Sequence, residues 1–268
     1  LLAAAALAAT SPAAAQLAVP AFNLPVSNQL SDEAQAVLQR MAAATAPADL
    51  ATDVVKQRAF YDRYNDDRLA EMRKHFRTRE QRTTMNGVTV DIVEPADGIA
   101  RGNAARVLVN VHGGAFMWGS GSGALVEAIP VAATMGVKVV TVDYRLAPEH
   151  RYPAASEDVT AVYKALLEQY RPENIGIYGC SAGGVITAQA TAWIRRQGLP
   201  RPGAIGTFCG TGAPYSGDSP YLAGPITGGA ALPVPALPDV LPLAYMQDVP
   251  ASDAAAYAQY LRVETRAA

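Results

Sequence analysis

The stretch Asn174-Ile-Gly-Ile-Tyr-Gly-Cys-Ser-Ala-Gly-Gly184 decides the fold of this chain. Its first five residues form a short apolar run typical of a buried strand, and residues 182–197 carry apolar side chains at helical spacing. A strand that passes through a glycine-flanked turn directly into a helix is a unit of α/β proteins with a parallel sheet. The turn places Ser181 at its apex.

Ser181 lies between two glycines at the G-x-S-x-G spacing of a nucleophile elbow. We expect a Cβ atom at Gly179 or Gly183 to collide with the neighbouring strand or helix, so that only the serine Oγ projects over the sheet edge. The motif predicts that Ser181 is a catalytic nucleophile. The alternative for this motif alone is a serine in a strand-to-helix turn without a catalytic role.

Apolar runs on both sides of this stretch extend the α/β pattern. Strands are predicted at residues 106–111, 137–142, 174–178 and 204–209, preceded by an alternating run at Val88, Val90 and Ile92. Helices are predicted at residues 125–135, 156–169 and 182–197. Because several strands are apolar on both faces, the order predicts a doubly wound, mostly parallel sheet.

A second glycine-rich loop, His112-Gly-Gly-Ala-Phe116, follows the predicted strand 106–111. Backbone N–H groups that converge on the oxyanion of a tetrahedral intermediate need a turn free of side chains. We therefore predict an oxyanion hole formed by Gly113, Gly114, Ala115 and Ala182, the residue after the nucleophile. His112 is expected to shape the loop and not to act as the base. Ala115 stands where such loops usually carry a third glycine.

These two motifs, together with Asp143-Tyr-Arg-Leu-Ala-Pro-Glu-His-Arg-Tyr-Pro-Ala-Ala155, resemble the bacterial hormone-sensitive-lipase family of carboxylesterases over residues 106–211. The resemblance implies the α/β-hydrolase fold and hydrolysis of small, short-acyl esters through an acyl-enzyme at Ser181, with neither a cofactor nor a metal. The elbow of that family usually reads G-D-S-A-G-G. Cys180 departs from this pattern and removes a carboxylate beside the nucleophile.

The base and the acid of a Ser–His–Asp triad follow the serine in α/β-hydrolases. The three histidines here, His75, His112 and His150, all precede Ser181. We therefore expect the triad histidine, its carboxylate and the C-terminal strands to lie beyond residue 268. No role is assigned to the aspartates that follow Ser181, which are Asp218, Asp239, Asp248 and Asp253. Two alternatives remain: His150 as the base, and a catalytically incomplete remnant that binds a ligand or partner.

The predicted domains are a signal peptide at residues 1–15, a helical cap region at 16–78 and a C-terminally incomplete hydrolase domain at 79–268. The first segment is an Ala/Leu run that ends in small residues, which predicts export to a periplasm or beyond. A disordered Ala-rich tail is the alternative. Helical spacing at residues 31–44 and 53–75 indicates two helices. In the resembling family such helices cap the active site, and the alternative is a solvated helical arm.

Charge and composition indicate a small-molecule substrate. The net charge of −2 argues against nucleic acid or an anionic membrane as a partner. The N-terminal apolar run is too short for a stable membrane span. The two cysteines, Cys180 and Cys209, predict buried free thiols, with a bridge as the alternative. No Cys/His cluster predicts a metal site. A sheet edge without its C-terminal strands predicts self-association into a homo-oligomer.

Overall fold

The computed structural model describes residues 27–43, 50 and 53–210, and the chain divides into two compact units, Leu1–Thr45 and Ala46–Ala268. The first unit contributes one described helix, α1 (Asp32–Ala43). The predicted signal peptide and the four aspartates after Ser181 lie outside the described residues. No helix in the described part is both long enough and apolar enough to cross a bilayer.

The second unit is a six-stranded sheet with helices on both faces. Its elements are α2 (Val54–His75), β1 (Thr78–Met85), β2 (Val88–Pro95), β3 (Val107–Val111), α3 (Ser122–Met135), β4 (Lys138–Val142), α4 (Ala154–Leu167), β5 (Ile175–Cys180), α5 (Ala182–Arg196) and β6 (Ala204–Phe208). The strand order is β1-β2-β4-β3-β5-β6. The four strands β4, β3, β5 and β6 are parallel, which confirms the predicted mostly parallel α/β sheet.

Two apolar clusters lie on the two faces of the sheet, because successive side chains of a strand point to opposite faces. Val107, Val109 and Val111 of β3 belong to the cluster that contains the buried side chains of α4 and α5. Leu108 packs on the other cluster, with α2 and α3. This burial on both faces explains why the strands read as continuous apolar runs.

The β1–β2 hairpin at the sheet edge is only partly predictable from the sequence. The alternating apolar residues identify β2, whereas β1 is polar and mostly exposed along its length. Asn86 and Gly87 join the two strands with φ values of 47° and 84°, the left-handed pair that a two-residue hairpin turn requires. Because β1 is exposed along most of its length on both faces, its sequence shows no alternation of apolar residues.

The chain reverses its winding direction between β3 and β5. From β3 the chain continues to β4 on one side, whereas from β5 it continues to β6 on the other, although β3 and β5 are neighbours. Loops that leave the carboxyl ends of two such strands diverge and form a crevice, which is the usual ligand-binding position in open α/β sheets. Both loops singled out from the sequence leave these two strands.

Helix α2 packs on the sheet domain. Leu69 is buried with Ile129 of α3, and the Tyr61 ring stacks on Trp118 at a centroid distance of 4.3 Å and an interplanar angle of 9°. The described part of the predicted cap region therefore includes one helix in direct contact with the loop that follows β3. That this helix caps the active site stays a prediction.

Arg58 of α2 ties three segments together. Its Nε donates to the Met117 carbonyl (2.8 Å), its Nη2 donates to the Ala147 carbonyl (2.9 Å), and both Nη atoms contact the Glu149 carboxylate at 2.9 and 2.6 Å. This bidentate pairing with Arg58 lowers the pKa of Glu149 to about 2. A single guanidinium thus connects α2 to the loop after β3 and to the segment after β4.

We predict that Glu149→Gln lowers the free energy of unfolding near neutral pH by about 0.5–1 kcal/mol, since the pair is partly exposed to solvent. Because the pKa of Glu149 is depressed in the folded state, its contribution is present above the ordinary value of 4.5 and is lost as the pH falls toward 2. Urea denaturation of both proteins at a series of pH values measures this difference. The control is Asp97→Asn, whose exposed carboxylate lies 3.8 Å from Arg77. A difference that does not shrink on acidification contradicts the assignment.

Candidate active site

The two sequence motifs meet at the carboxyl ends of β3 and β5. Val111 pairs with Gly179 in the parallel register, so the loops that follow leave the sheet side by side. A Cβ atom built on Gly113 would lie 3.5 Å from Ser181 Cβ. The structure therefore brings the predicted nucleophile against the predicted oxyanion loop.

Ser181 occupies a strained turn between β5 and α5, with φ 56° and ψ −122°. A Cβ atom on Gly179 would lie 2.3 Å from the Val111 carbonyl oxygen, and one on Gly183 would lie 1.9 Å from the same oxygen. Both distances are far below contact distance, so the elbow can approach β3 only with glycine at these positions. Ser181 itself is exposed.

Strand β6 holds the backbone of the elbow. The Ser181 N–H donates to the carbonyl of Phe208 (2.8 Å), the last residue of β6. A Cβ atom on Gly210 would lie 2.2 Å from the Ser181 carbonyl oxygen. The strained serine is therefore fixed by the strand on each side of β5, with β3 on one side and β6 on the other.

The loop after β3 turns back through three consecutive residues with positive φ. These are Gly114 (121°), Ala115 (50°) and Phe116 (67°). Glycine is required at position 114, because a Cβ atom there would lie 2.0 Å from the Trp118 carbonyl oxygen. Ala115 adopts the left-handed conformation that a glycine would adopt without strain.

Glu127 changes the predicted set of oxyanion donors. The Gly113 N–H donates to Glu127 Oε1 at 2.8 Å, so the prediction that Gly113 is an oxyanion donor is wrong for this structure. The amides of Gly114 and Ala115 have no acceptor among the described residues, and Ala182 is the first residue of α5, where N–H groups lack helical partners. Three of the four predicted donors remain free.

Sequence reasoning missed Glu127, although one signal marks it. Glu127 is the only charged residue in the 14 residues of α3, which are otherwise apolar or small. A carboxylate in such a helix needs a polar partner in the interior. The partner belongs to a loop that precedes the helix, and no periodicity identifies it.

His112 is buried inside the loop. Its Nδ1 lies 2.7 Å from the Gly113 carbonyl oxygen, and its ring stacks on Tyr144 at 4.2 Å. Burial lowers the pKa of His112, so the ring is neutral at neutral pH. These contacts fit a residue that shapes the loop.

The segment after β4 fastens the same loop. The Tyr144 hydroxyl donates to the His112 carbonyl (2.8 Å), and the Ala147 N–H donates to the Phe116 carbonyl (2.9 Å). Arg145 anchors the segment to α4, where its Nε lies 2.9 and 3.0 Å from the two Asp158 oxygens. This is the structural role of the third motif, which the sequence indicates only through its resemblance.

No histidine of the described residues, which include all three in the chain, hydrogen-bonds to Ser181. His75 is exposed at the end of α2, where its Nε2 lies 2.9 Å from Glu71 Oε1. His150 is also exposed, and its backbone N–H donates to the Leu146 carbonyl. The alternative of His150 as the base therefore gains no support from the geometry.

The two cysteines are unbridged. Cys180 is half-buried and Cys209 is exposed, so the expectation of two buried thiols is wrong for Cys209. Cys209 follows the end of β6, where the described sheet has no further strand to cover it. Burial, followed by the neighbouring Cys209 thiol, raises the pKa of Cys180 to about 11, so this thiol is protonated at neutral pH.

The comparisons with known proteins agree with this geometry. A family described as "alpha/beta hydrolase fold" matches residues 108–223, and a carboxylesterase family matches residues 64–148. LipR of Mycobacterium tuberculosis is 37% identical over 133 residues, which cover 49% of this chain and 42% of LipR. An acetyl-hydrolase of Streptomyces hygroscopicus is 34% identical over 45% of this chain and 39% of its own. The chain thus spans less than half the length of these relatives.

Two solved structures show the same fold. An esterase called E25 superposes with a TM-score of 0.67 at 24% identity, covering 87% of this chain and 74% of E25. An esterase from the bacterial hormone-sensitive lipase family superposes with a TM-score of 0.63 at 24% identity, covering 84% of this chain and 73% of its own. The chain therefore has the α/β-hydrolase fold, and it is similar to esterases and acetyl-hydrolases. The resemblance carried by the three sequence motifs is thereby confirmed.

We predict effects of very different size for two substitutions in this loop. Gly114→Ala should destabilise the protein by roughly 3 kcal/mol, because the new Cβ collides with the Trp118 carbonyl in a conformation that already disfavours side chains. Ala115→Gly should change stability by less than about 1 kcal/mol, since relief of the left-handed strain is offset by the larger backbone entropy of an unfolded glycine. Equilibrium urea denaturation measures both, and equal effects would contradict the assigned loop conformation.

Proposed function

We propose that this hydrolase cleaves small, short-acyl carboxylic esters with Ser181 as the nucleophile. The observation that carries the proposal is the juxtaposition of an exposed serine in a strained elbow with a loop whose Gly114 and Ala115 amides are free among the described residues. A nucleophile beside convergent N–H donors is the arrangement that acyl transfer requires.

In the proposed reaction, Ser181 Oγ attacks the acyl carbon and loses its proton to a base. The amides of Gly114, Ala115 and Ala182 donate hydrogen bonds to the oxyanion of the tetrahedral intermediate. The C–O bond to the alcohol then breaks, the alcohol leaves with the proton, and water hydrolyses the acyl-enzyme to release the acid and regenerate the serine. The base is not assigned to any of the three histidines, because none of them hydrogen-bonds to Ser181 in the described part of the chain.

Three further elements belong to the proposal. The name of the Streptomyces relative supports an acetyl group as the acyl part. The stacking of Tyr61 on Trp118 supports α2 as a cap next to the oxyanion loop. The small-residue pattern at positions 1–15 supports export.

The second candidate is a non-catalytic α/β-hydrolase remnant that binds a hydrophobic ligand or a partner. The specific observation in its favour is that Ser181 has no hydrogen-bonded imidazole in this structure, although all three histidines are described. A serine without a base is a weak nucleophile at neutral pH.

The test is hydrolysis of p-nitrophenyl acetate, butyrate and palmitate by the 268-residue chain and by Ser181→Ala, each with and without added imidazole. We expect the two short-acyl esters to be hydrolysed in a Ser181-dependent manner and the palmitate ester to react least. If a missing base is the only defect, free imidazole supplies it, and the rate in excess of the imidazole background then rises with imidazole concentration in the parent chain but not in Ser181→Ala.

The Ser181→Ala chain is the matched control, since imidazole hydrolyses activated esters by itself and this background must be subtracted. Hydrolysis that depends on Ser181 supports the first proposal with or without imidazole. Equal rates for the parent and Ser181→Ala under both conditions would reject it in favour of the non-catalytic remnant.

A further inference from the structure

Glu127 of α3 places a carboxylate against the oxyanion loop. Its Oε1 accepts from the Gly113 N–H at 2.8 Å, and its Oε2 accepts from Asn110 Nδ2 at 3.1 Å. The residue is half-buried at the side of an apolar groove of about 450 Å³, and it is the only charged residue among those that line the groove. The position is therefore unusual for a carboxylate.

No cation in the described part of the chain forms a salt bridge with Glu127. Desolvation raises its pKa, and the hydrogen bonds from Gly113 and Asn110 oppose this effect. A carboxylate without a cation in apolar surroundings lowers stability unless hydrogen bonds compensate. The hydrogen bonds from Gly113 and Asn110 are therefore the compensation that this site provides for the lost hydration of Glu127.

The surrounding polar groups are ordered to meet an ionised carboxylate. Thr141 Oγ1 donates to Asn110 Oδ1 at 2.9 Å, which fixes the orientation of the Asn110 amide and turns its Nδ2 toward Glu127. Both partners of Glu127 are thus donors, and the ionised carboxylate is an acceptor only. One hydrogen-bonded chain runs from Thr141 of β4 through Asn110 of β3 and Glu127 of α3 to Gly113.

The end of this chain of hydrogen bonds lies at the junction of the two catalytic loops. A Cβ atom built on Gly113 would be 3.3 Å from Glu127 Oε1, 2.9 Å from the Cys180 carbonyl oxygen and 3.5 Å from Ser181 Cβ. Because peptide groups are planar, only the two backbone dihedrals of Gly113 separate its amide from that of Gly114. Fixing the Gly113 amide therefore restricts where the Gly114 N–H points.

We propose that Glu127 is a positioning residue. By holding the Gly113 amide, its carboxylate directs the Gly114 and Ala115 amides toward the substrate oxyanion of the tetrahedral intermediate that Ser181 forms. The catalytic consequence rests on the proposed function, whereas the hydrogen bond that positions the loop does not. The resembling family usually has an aspartate at the position of Cys180. Glu127 supplies a carboxylate near the same turn from helix α3, whereas position 180 is the last residue of β5.

The titratable groups that face Glu127 are Tyr178 of β5 and Cys180. Burial raises the pKa of both, and the negative charge of Glu127 contributes to each rise, so both are neutral at neutral pH. His112 is a third titratable group near this amide, since its Nδ1 lies 2.7 Å from the Gly113 carbonyl oxygen and burial lowers its pKa from the ordinary value of 6.5. A pH-dependent change of the Gly113 amide between pH 4 and 7 that is lost in Glu127→Gln therefore reports the titration of Glu127.

The test observes the Gly113 amide directly. His112-Gly113 is the only His-Gly pair in the sequence, so ¹³C-carbonyl histidine combined with ¹⁵N-glycine gives a single HNCO cross-peak for this amide in the full chain. We expect a downfield amide proton that titrates with a midpoint above 4.5, the ordinary value for glutamate. Glu127→Ala should move the peak upfield. Glu127→Gln keeps an acceptor oxygen, and its peak should stay near the parent position and lose its pH dependence.

The control is Asp91→Asn, which alters another buried carboxylate, paired with Arg82 at 2.8 Å on β1. It should lower the melting temperature and leave the Gly113 peak in place. An unmoved peak in Glu127→Ala, or an equal movement in Asp91→Asn, overturns the proposal.

Kinetics then test the catalytic consequence. In a chain with Ser181-dependent hydrolysis, Glu127→Ala should lower kcat by about ten-fold or more with little change in KM, and Glu127→Gln should recover most of it. A peak shift without a fall in kcat overturns the positioning role. If no Ser181-dependent hydrolysis exists, the proposed function fails, while the cross-peak still decides whether Glu127 holds the loop.

Discussion

The close approach of the Val111 carbonyl to two glycines is the constraint on which the rest of the site depends. The carboxyl end of β3 packs directly against the start of α5. A Cβ atom at Gly179 or Gly183 would lie within 2.3 Å of that carbonyl oxygen. With glycine at both positions, β5 can turn into α5 at once and hold Ser181 at a positive φ. Any larger residue would separate β3 from the elbow and thereby move Ser181, the proposed nucleophile, away from the proposed oxyanion loop.

The oxyanion loop depends in turn on a small number of polar contacts from outside it. Phe116 and Met117 of the loop pack in the core, and neighbouring elements supply hydrogen bonds to its backbone. Tyr144 binds the His112 carbonyl, Arg58 binds the Met117 carbonyl and Glu127 binds the Gly113 amide. The three residues come from the segment after β4, from α2 and from α3. The site is therefore assembled by elements on both faces of the sheet, although its chemistry lies on only two loops.

The sequence predicts those parts of the structure that are determined by neighbouring residues in the chain. The elbow, the glycine loop and the inner strands follow from spacing and from apolar runs, and their positions agree with the structure to within a few residues. The sequence of β1 shows no alternation of apolar residues because β1 is an exposed edge strand. The Gly113–Glu127 hydrogen bond joins residues that are 14 positions apart in the sequence. No local sequence pattern at either residue predicts contact with the other. The exposure of Cys209 depends on what covers β6, and no local signal contains that information.

A comparison of strain and hydrogen-bond energies explains why hydrogen bonds to charged groups hold the loop. Ala115 and Phe116 both adopt left-handed backbone conformations, which cost about 1–2 kcal/mol per residue outside glycine. Neutral hydrogen bonds contribute about 0.5–1.5 kcal/mol each, and bonds to charged groups contribute about 1.5–3 kcal/mol. The bonds from Arg58 and to Glu127 are of the second kind, and together they are large enough to offset this strain. The neutral hydrogen bonds of the loop add to this balance, and the two charged bonds widen the margin by which the strained conformation is held.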